Sequence, residues 1–314
     1  MIALSLGVVK NYIAPAPVAV RIDNALSREP AAVHSPRMRF TKIADESIPV
    51  LGQGTWQLGE RPGKREAELA TLRLGIELGL TLIDTAEMYG DGASERLVAE
   101  AIEGRRDEVF IVTKVLPSNA TSRKKIVAAC EQSLRRLKVD RIDLYLLHWR
   151  QSEDLEVVVE TFAELRTAGK IRHWGVSNFD VADLEELDAV PGGKSVASNQ
   201  VLYNVSRRGI EFDLLPTARE RELMVMAYTP IEPARVMSNA TLRAIAARHE
   251  ATPAQIALAW LLRQPGVVAI PRTGSPDHVR ENAAALDIGL TTTDLDEIDR
   301  AFPAPTKKRS LEMI

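Results

Sequence analysis

The sequence contains almost no cysteine, with Cys130 as the one thiol among 314 residues. A single cysteine excludes a disulfide within the chain and a metal site built from several thiolates. Such sparing use of cysteine is typical of a reducing compartment, so we expect a cytoplasmic protein. Cys130 falls within a predicted amphipathic helix, where we expect an ordinary packing residue and not a reactive thiol.

Long hydrophobic runs and an excess of one charge are lacking as well. No apolar run approaches the ~20 residues that a membrane helix needs. A net charge of −3 gives no general attraction to nucleic acid or to an anionic membrane, so local basic groups must hold any anionic ligand. With 45% apolar and 26% charged residues, the composition is that of a soluble globular protein. We expect no nucleic-acid or membrane partner, and a monomer or weak oligomer.

Regular periodicity is missing from residues 1–37. The stretch "MIALSLGVV" is apolar and "IAPAPVAV" contains small residues of the kind seen near cleavage sites. No positive charge precedes the apolar stretch, although secretion signals normally carry one there. We interpret residues 1–37 as a loosely ordered extension, or as the product of a start codon placed too early. Met38 opens a far more regular pattern, and we predict one folded domain over residues 38–314.

From about Val50 onward, short apolar runs alternate with amphipathic helical segments. Besides the run near Val50, the predicted strands are Thr81–Asp84, Val109–Lys114, Ile142–His148, Trp174–Ser177, Ser198–Val201, Leu223–Tyr228 and Val267–Pro271. Strands separated by helices pair in parallel through right-handed crossovers, and eight units in roughly 250 residues predict an α/β fold of the (β/α)8 TIM-barrel type. An open, doubly wound sheet is the competing fold, but "LGQGTWQLG" lacks its third glycine and an immediately following helix.

Three segments fall outside the eight units. "MRFTKIADESIPV" predicts an N-terminal β-hairpin that closes the N-terminal end of the barrel. "EATPAQIALAWLLRQPG" and "TTTDLDEIDRAFP" predict extra helices near the C-terminus, each with a threonine at its N-cap.

In a barrel of this class, functional side chains follow the C-terminal ends of the strands. Asp84, Tyr89, Lys114 and His148 lie at such positions on the second, third and fourth strands. Each has an ordinary structural interpretation by itself, as a turn cap, a packing aromatic, an ion-pair partner or a hydrogen-bonding residue. Together they form a compact titratable cluster, which favours function.

The chemistry that uses this set is proton delivery by a tyrosine. A phenol has a pKa of about 10 and is a poor acid at neutral pH. We expect the Lys114 ammonium to lower the pKa of Tyr89 and Asp84 to hold Lys114, while His148 orients a carbonyl oxygen. That arrangement suits hydride attack on a carbonyl carbon with proton transfer to its oxygen.

Six motifs make the chain resemble the aldo-keto reductase superfamily over residues 38–302. They are "DTAEMYGDGASE", "LLHW", "GVSNF", "NQVLYN", "AYTPI" and "IPRTGSPDHVREN". The resemblance implies a barrel that binds a nicotinamide nucleotide without a Rossmann fold and reduces aldehydes or ketones. It also implies that Asp84, Tyr89, Lys114 and His148 are the catalytic tetrad, with Tyr89 as the proton donor.

The resemblance further implies cofactor contacts at the ends of the later strands. Those to nicotinamide are Ser177, Asn178 and Gln200 at the carboxamide and Tyr228 stacked on the ring, and those to the adenosine end are Arg272, Thr273, His278, Glu281 and Asn282. An arginine and a hydroxyl at the 2′-phosphate predict NADPH, with NADH as the alternative. His278 departs from the family pattern, in which many members carry a second arginine there.

Other departures concern the mouth of the barrel. The loop "TPIEPARVMSNATL" after the seventh strand is short, which predicts a more open site and faster cofactor exchange. Arg150 stands where proline is frequent in the family, and we interpret it as solvated or as a contact to an anionic substrate. Trp56 and Trp149 are predicted to line the carbonyl pocket, with packing at its rim as the alternative.

Two other classes of function remain open from the residues alone. A redox-sensing regulatory subunit would bind the cofactor with little turnover. A barrel aldolase or lyase would use Lys114 as a Schiff base, but "GVSNF" and "NQVLYN" would then have no purpose.

Overall fold

The computed structural model describes residues 37–314, and its first element is the predicted hairpin. Strands β1 (Phe40–Ile43) and β2 (Glu46–Pro49) pair antiparallel. Ile48 belongs to a buried apolar cluster made largely of barrel-strand residues. Glu46 binds Arg172 at 2.6 Å, near the start of a barrel strand. The hairpin therefore covers the N-terminal end of the barrel.

The eight predicted barrel strands are all present and parallel. They are β3 (Gln53–Gly54), β4 (Leu82–Asp84), β5 (Phe110–Val115), β6 (Ile142–Leu147), β7 (Ile171–Ser177), β8 (Ser198–Leu202), β9 (Met224–Tyr228) and β10 (Val267–Ala269). Each strand hydrogen-bonds to the next in chain order, from β3 to β10. Because every crossover returns to the same end, all their C-terminal ends lie at one edge of the sheet.

The first and last strands close the ring. Parallel bridges join Leu51 to Ala269 and Gly54 to Arg272. A Cβ atom at Gly54 would lie 2.8 Å from the carbonyl oxygen of Ile270, so glycine permits this close approach. The sheet is therefore a closed (β/α)8 barrel, and the competing open sheet is excluded.

Helices surround the barrel. They are α1 (Arg65–Glu77), α2 (Ala93–Ala101), α3 (Arg123–Leu137), α4 (Leu155–Thr167), α5 (Val181–Ala189), α6 (Leu214–Glu220), α7 (Pro233–Val236), α8 (Ala240–Arg248), α9 (Pro253–Leu262), α10 (Pro276–Ala284) and α11 (Thr292–Ala301). Phe162 of α4 packs between Tyr145 of β6 and Trp174 of β7, with ring centroids 5.3 and 5.9 Å away. Over residues 37–314, every helix is too short or too polar to cross a bilayer.

The helices exceed one per strand near the C-terminus, as predicted. Helices α7, α8 and α9 all lie between β9 and β10, and α11 follows α10. Thr252 caps α9 by accepting from the backbone of Gln255, and Thr291 caps α11 through Asp294 in the same way. Such caps each stabilise a helix by about 1 kcal/mol.

Cys130 lies in α3 and is buried. Burial raises the pKa of the Cys130 thiol to about 12, which fits a packing residue. The extension predicted over residues 1–37 lies outside the described residues except for Arg37, whose backbone N–H donates to Asp287 at 3.1 Å.

Candidate active site

Three of the four predicted catalytic residues come from consecutive strands. Asp84 is the last residue of β4, Lys114 is near the end of β5, and His148 directly follows β6. Asp84 pairs in register with Val112, two residues before Lys114. Residues two apart on a strand share a face, so Asp84 and Lys114 both project toward the barrel mouth.

Lys114 is fully buried and uses all three of its N–H donors. Its Nζ lies 2.8 Å from Asp84 Oδ1, 2.9 Å from the Thr85 carbonyl oxygen and 3.1 Å from the Tyr89 hydroxyl. Burial alone would lower the pKa of Lys114, but Asp84 and Tyr89 outweigh it and raise this pKa. The structure therefore keeps a charged ammonium beside the phenol.

The pKa of Tyr89 moves in the direction opposite to the one expected. Burial of the ring raises this pKa by more than the Lys114 ammonium lowers it, and Asp84 adds to the rise. The sequence shows that a lysine can approach the tyrosine, but not how deeply the ring is buried. Tyr89 therefore keeps its proton at neutral pH in the ligand-free protein.

A glycine-rich turn places Tyr89 in this position. Tyr89 donates its backbone N–H to the Ala86 carbonyl at 3.1 Å. Gly90 and Gly92 then adopt left-handed φ angles of 55° and 76°, which glycine reaches without strain. Ser94, in the first turn of α2, donates its backbone N–H to the Tyr89 carbonyl at 3.3 Å. Helix α2 thus holds the tyrosine backbone from the other side.

Two hydroxyl residues that sequence reasoning missed hold the backbone of Asp84. Thr55 donates its hydroxyl to the Asp84 carbonyl at 2.8 Å, and Ser94 donates to the Thr55 hydroxyl at 2.7 Å. Ser94 is buried at the start of α2 and Thr55 directly follows β3. Nothing in their spacing marks them, because they meet only after the chain has folded.

His148 is neutral at physiological pH. Burial, aided by the Lys114 charge, lowers the pKa of His148 to about 2. Its ring meets that of Tyr89 edge-on at 5.9 Å and lies 4.8 Å from that of Trp149. Its Nδ1 is buried and has no hydrogen-bond partner within residues 37–314. A neutral imidazole offers one donor and one acceptor to a ligand.

The four residues predicted to contact nicotinamide form one hydrogen-bonded group. Tyr228 donates to Asn178 Oδ1 at 3.0 Å, Asn178 to Ser177 Oγ at 3.2 Å, and Ser177 to the Gln200 carbonyl at 2.9 Å. Asn178 has a left-handed φ of 58° just after β7. Gln200 also donates to Asp84 Oδ1 at 2.7 Å, which connects this group to the charged cluster.

The segment after β10, where the adenosine contacts were predicted, carries an exposed guanidinium. Arg272 donates to the Trp56 carbonyl and to Gln57 Oε1, both at 2.9 Å, and no carboxylate of the described residues pairs with it. Ser275 precedes α10 without a side-chain capping bond in this part of the chain. A guanidinium that no carboxylate of the described residues neutralises, close to an uncapped helix start, is a suitable arrangement for a phosphate.

Of the other residues predicted to contact adenosine, some line a small cavity and some do not. Thr273 accepts from the Ser275 backbone at 3.1 Å and lies 3.5 Å from His278 Nδ1. A small cavity is lined by Gly52, Gln53, Gly54, Leu80, Pro271, Thr273, Val279 and Asn282. The Glu281 side chain is exposed and does not line this cavity.

At the barrel mouth, Arg150 differs from the expectation that it is solvated or contacts a substrate. Arg150 is partly buried and pairs with Glu153 at 3.3 Å and Glu186 at 2.8 Å, so its guanidinium is held by carboxylates of this chain. Trp56 is 52% exposed, and Trp149 is partly buried against His148. Both tryptophans follow strand ends and are therefore at the mouth.

Comparisons with known proteins show the family to which the chain belongs. The model of the "Aldo/keto reductase family" matches residues 50–302. Methylglyoxal reductase YeaE of Escherichia coli K12 is 50% identical over 275 residues, which is 86% of this chain and 96% of that protein. The crystal structure of an aldo/keto reductase from Klebsiella pneumoniae in complex with NADP and acetate has a TM-score of 0.85 and 46% identity, covering 87% of this chain and 98% of that one.

A more distant solved structure is similar over most of the chain as well. The thermostable aldo-keto reductase Tm1743, crystallised in complex with the inhibitor epalrestat, has a TM-score of 0.77 and 38% identity. The match covers 84% of this chain and 100% of that chain.

Proposed function

Because the chain belongs to the aldo/keto reductase family, we propose that this oxidoreductase uses NADPH to reduce small aldehydes or ketones, with Tyr89 as the proton donor. The observation that supports the proposal best is the 3.1 Å hydrogen bond from buried Lys114 to the Tyr89 hydroxyl. A barrel built only for packing has no reason to bury an ammonium against a phenol at its mouth.

The residues at the strand ends fit a nicotinamide nucleotide. Ser177, Asn178 and Gln200 offer hydroxyl and amide groups for the carboxamide, and Tyr228 offers an aromatic face. The exposed guanidinium of Arg272 fits a 2′-phosphate, which favours NADPH over NADH. When bound, this cofactor supplies hydride to a carbonyl carbon.

Tyr89 and Lys114 divide the proton chemistry between them. The raised pKa of Tyr89 keeps the phenol protonated until a carbonyl oxygen needs the proton. The Lys114 ammonium then stabilises the phenolate as it forms, and Asp84 holds the ammonium in place. Burial therefore keeps the proton on the Tyr89 phenol, and Lys114 assists its transfer to the carbonyl oxygen.

His148 and the aromatic residues position the substrate. A neutral imidazole can donate to the carbonyl oxygen without competing as an acid, which suits an orienting role. Trp56 and Trp149 supply apolar surface at the mouth. The similarity to a methylglyoxal reductase favours small α-oxo aldehydes among the substrates.

The test is a carbonyl panel assayed with NADPH and, separately, NADH. Methylglyoxal, simple aldehydes and simple ketones are added to the purified full chain, and loss of reduced-cofactor absorbance is followed. We expect turnover with methylglyoxal and a higher kcat/KM with NADPH. Cofactor binding without turnover of any carbonyl would instead support the redox-sensing subunit, and borohydride trapping of substrate on Lys114 would support an aldolase.

A further inference from the structure

We propose that Gln57 is a positioning residue that presents the Arg272 guanidinium to the 2′-phosphate of the cofactor. This inference rests on the proposed function, because it assumes that Arg272 binds that phosphate. It adds a residue from the opposite end of the chain, on the loop after β3, to the determinants of cofactor choice.

The turn that carries Gln57 lies against Arg272 because the barrel closes at this point. Gly54, the last residue of β3, is bridged to Arg272. The chain then forms a tight turn in which Leu58 donates its backbone N–H to the Thr55 carbonyl at 2.9 Å. Gln57 lies near the end of this turn, and its side-chain oxygen accepts from Arg272 Nη2 at 2.9 Å.

The contacts of Arg272 use one edge of the guanidinium and leave the other available. Nε donates to the Trp56 carbonyl and Nη2 to Gln57 Oε1, so the Nε–Nη2 edge is held by the turn. A guanidinium has five N–H donors, and a phosphate needs two on one edge. The Nη1–Nη2 edge, which has no carboxylate partner among residues 37–314, supplies them.

A glutamine suits this role better than a carboxylate. Its amide oxygen holds the guanidinium but is neutral, so Arg272 keeps its full positive charge for an anion. A glutamate at the same place would form an ion pair and reduce the attraction of Arg272 for phosphate.

The backbone at Gln57 has a conformation that is unusual for a glutamine. Its φ is +61°, a left-handed conformation that glutamine rarely adopts and that glycine or asparagine would reach more easily. Unusual backbone angles at non-glycine residues cluster at ligand-binding sites. The side-chain bond to Arg272 gives a reason for a glutamine here.

The test measures binding to the full chain by isothermal titration calorimetry, without turnover. Adenosine 2′,5′-bisphosphate carries the 2′-phosphate, and 5′-AMP is the matched ligand without it. Gln57→Met keeps the side-chain length but removes the acceptor. Gln151→Met is the control, because exposed Gln151 follows β6 at the same end of the barrel and its side chain makes no hydrogen bond to the described residues.

We expect Gln57→Met to weaken binding of the bisphosphate about five-fold, since an unheld arginine side chain must be ordered on binding. Binding of 5′-AMP should be unchanged, and the control should match the wild type with both ligands. Gln57→Gly removes the same acceptor while suiting the left-handed backbone, so it gives the same loss if Gln57→Met does not fold.

The outcomes separate this inference from the function on which it rests. If the wild type binds both ligands equally, the proposed NADPH preference fails and the inference fails with it. If the wild type prefers the bisphosphate and both Gln57 variants bind it as tightly, only the inference is overturned. Equal weakening of both ligands would show that Gln57 merely supports the turn, which also overturns it.

Discussion

Gln200 donates a hydrogen bond of 2.7 Å to Asp84, the carboxylate that also pairs with Lys114. The two residues are 116 positions apart and lie on β8 and β4, so the bond spans the barrel mouth. Asp84 therefore shares its charge between an ammonium and an amide. Removal of any member of this group changes the electrostatic environment of Tyr89.

The Asp84–Lys114 pair predicts strongly non-additive stability effects. Asp84→Asn leaves a buried ammonium without a counter-charge, and Lys114→Met leaves a buried carboxylate without one. Each should reduce the free energy of unfolding by about 3–5 kcal/mol. The free energy of unfolding of the double variant, measured by urea denaturation, should fall by clearly less than the sum of the two single losses. Additive losses would show that the two charges do not depend on each other.

Tyr89→Phe should abolish proton donation while leaving the fold and the cofactor site intact. We expect kcat to fall by about 10²–10⁴-fold, the range for loss of a general acid, with an unchanged Kd for NADPH. Tyr145→Phe is the matched control, because the Tyr145 hydroxyl is buried without a partner in the described chain. Wild-type kcat in the Tyr89 variant would remove this tyrosine from the mechanism.

His148 predicts a loss of stability at acidic pH. Its pKa is about 2 in the folded protein and about 6.5 when unfolded, so the unfolded state binds more protons below pH 6.5. Stability is then full above that pH and falls as the pH decreases, by up to about 1.4 kcal/mol per unit. His148→Gln should flatten this dependence in unfolding curves measured between about pH 4 and 8. Parallel curves would contradict the burial of a neutral imidazole.

Cys130 should be unreactive in the native protein. Its pKa of about 12 means that the thiolate is scarce at neutral pH, and burial blocks access. A colorimetric disulfide reagent should therefore label no thiol until denaturant is added, and then label one per chain. Rapid labelling of folded protein would show that α3 opens locally.

His278→Arg should strengthen the NADPH preference. The substitution adds a permanent positive charge in the first turn of α10, close to Thr273. We expect the affinity for NADPH to increase about ten-fold with little change for NADH, and the gain to shrink at high salt. Equal gains for both cofactors would place residue 278 away from the 2′-phosphate.

The parts of the site that could be predicted are those determined by strand order. Parallel neighbours share an edge, so Asp84 and Lys114 were expected to meet once their strands were recognised. The order of β3 to β10 and the caps at Thr252 and Thr291 follow from local patterns in the same way. These features depend on short stretches of sequence.

The remaining features depend on contacts between distant segments. Arg272 and Gln57 are 215 positions apart and meet only through closure of the ring. The sequence also does not show how deeply Tyr89 is buried, and burial decides the direction of its pKa shift. The ion pairs of Arg150 were missed for a similar reason, because Arg150 lies in the loop after β6 and its partner Glu186 lies on α5.

The pairing of β3 with β10 also imposes an order on folding during synthesis. Gly54 leaves the ribosome long before Arg272. The edge of β3 that faces β10 in the finished barrel is therefore unpaired while the intervening units fold. Such an edge can pair with foreign strands until its own partner arrives. When β10 pairs with β3, the ring closes and Arg272 reaches the turn that contains Gln57 in the same step. A chain that stalls earlier has both an aggregation-prone edge and no guanidinium for the cofactor.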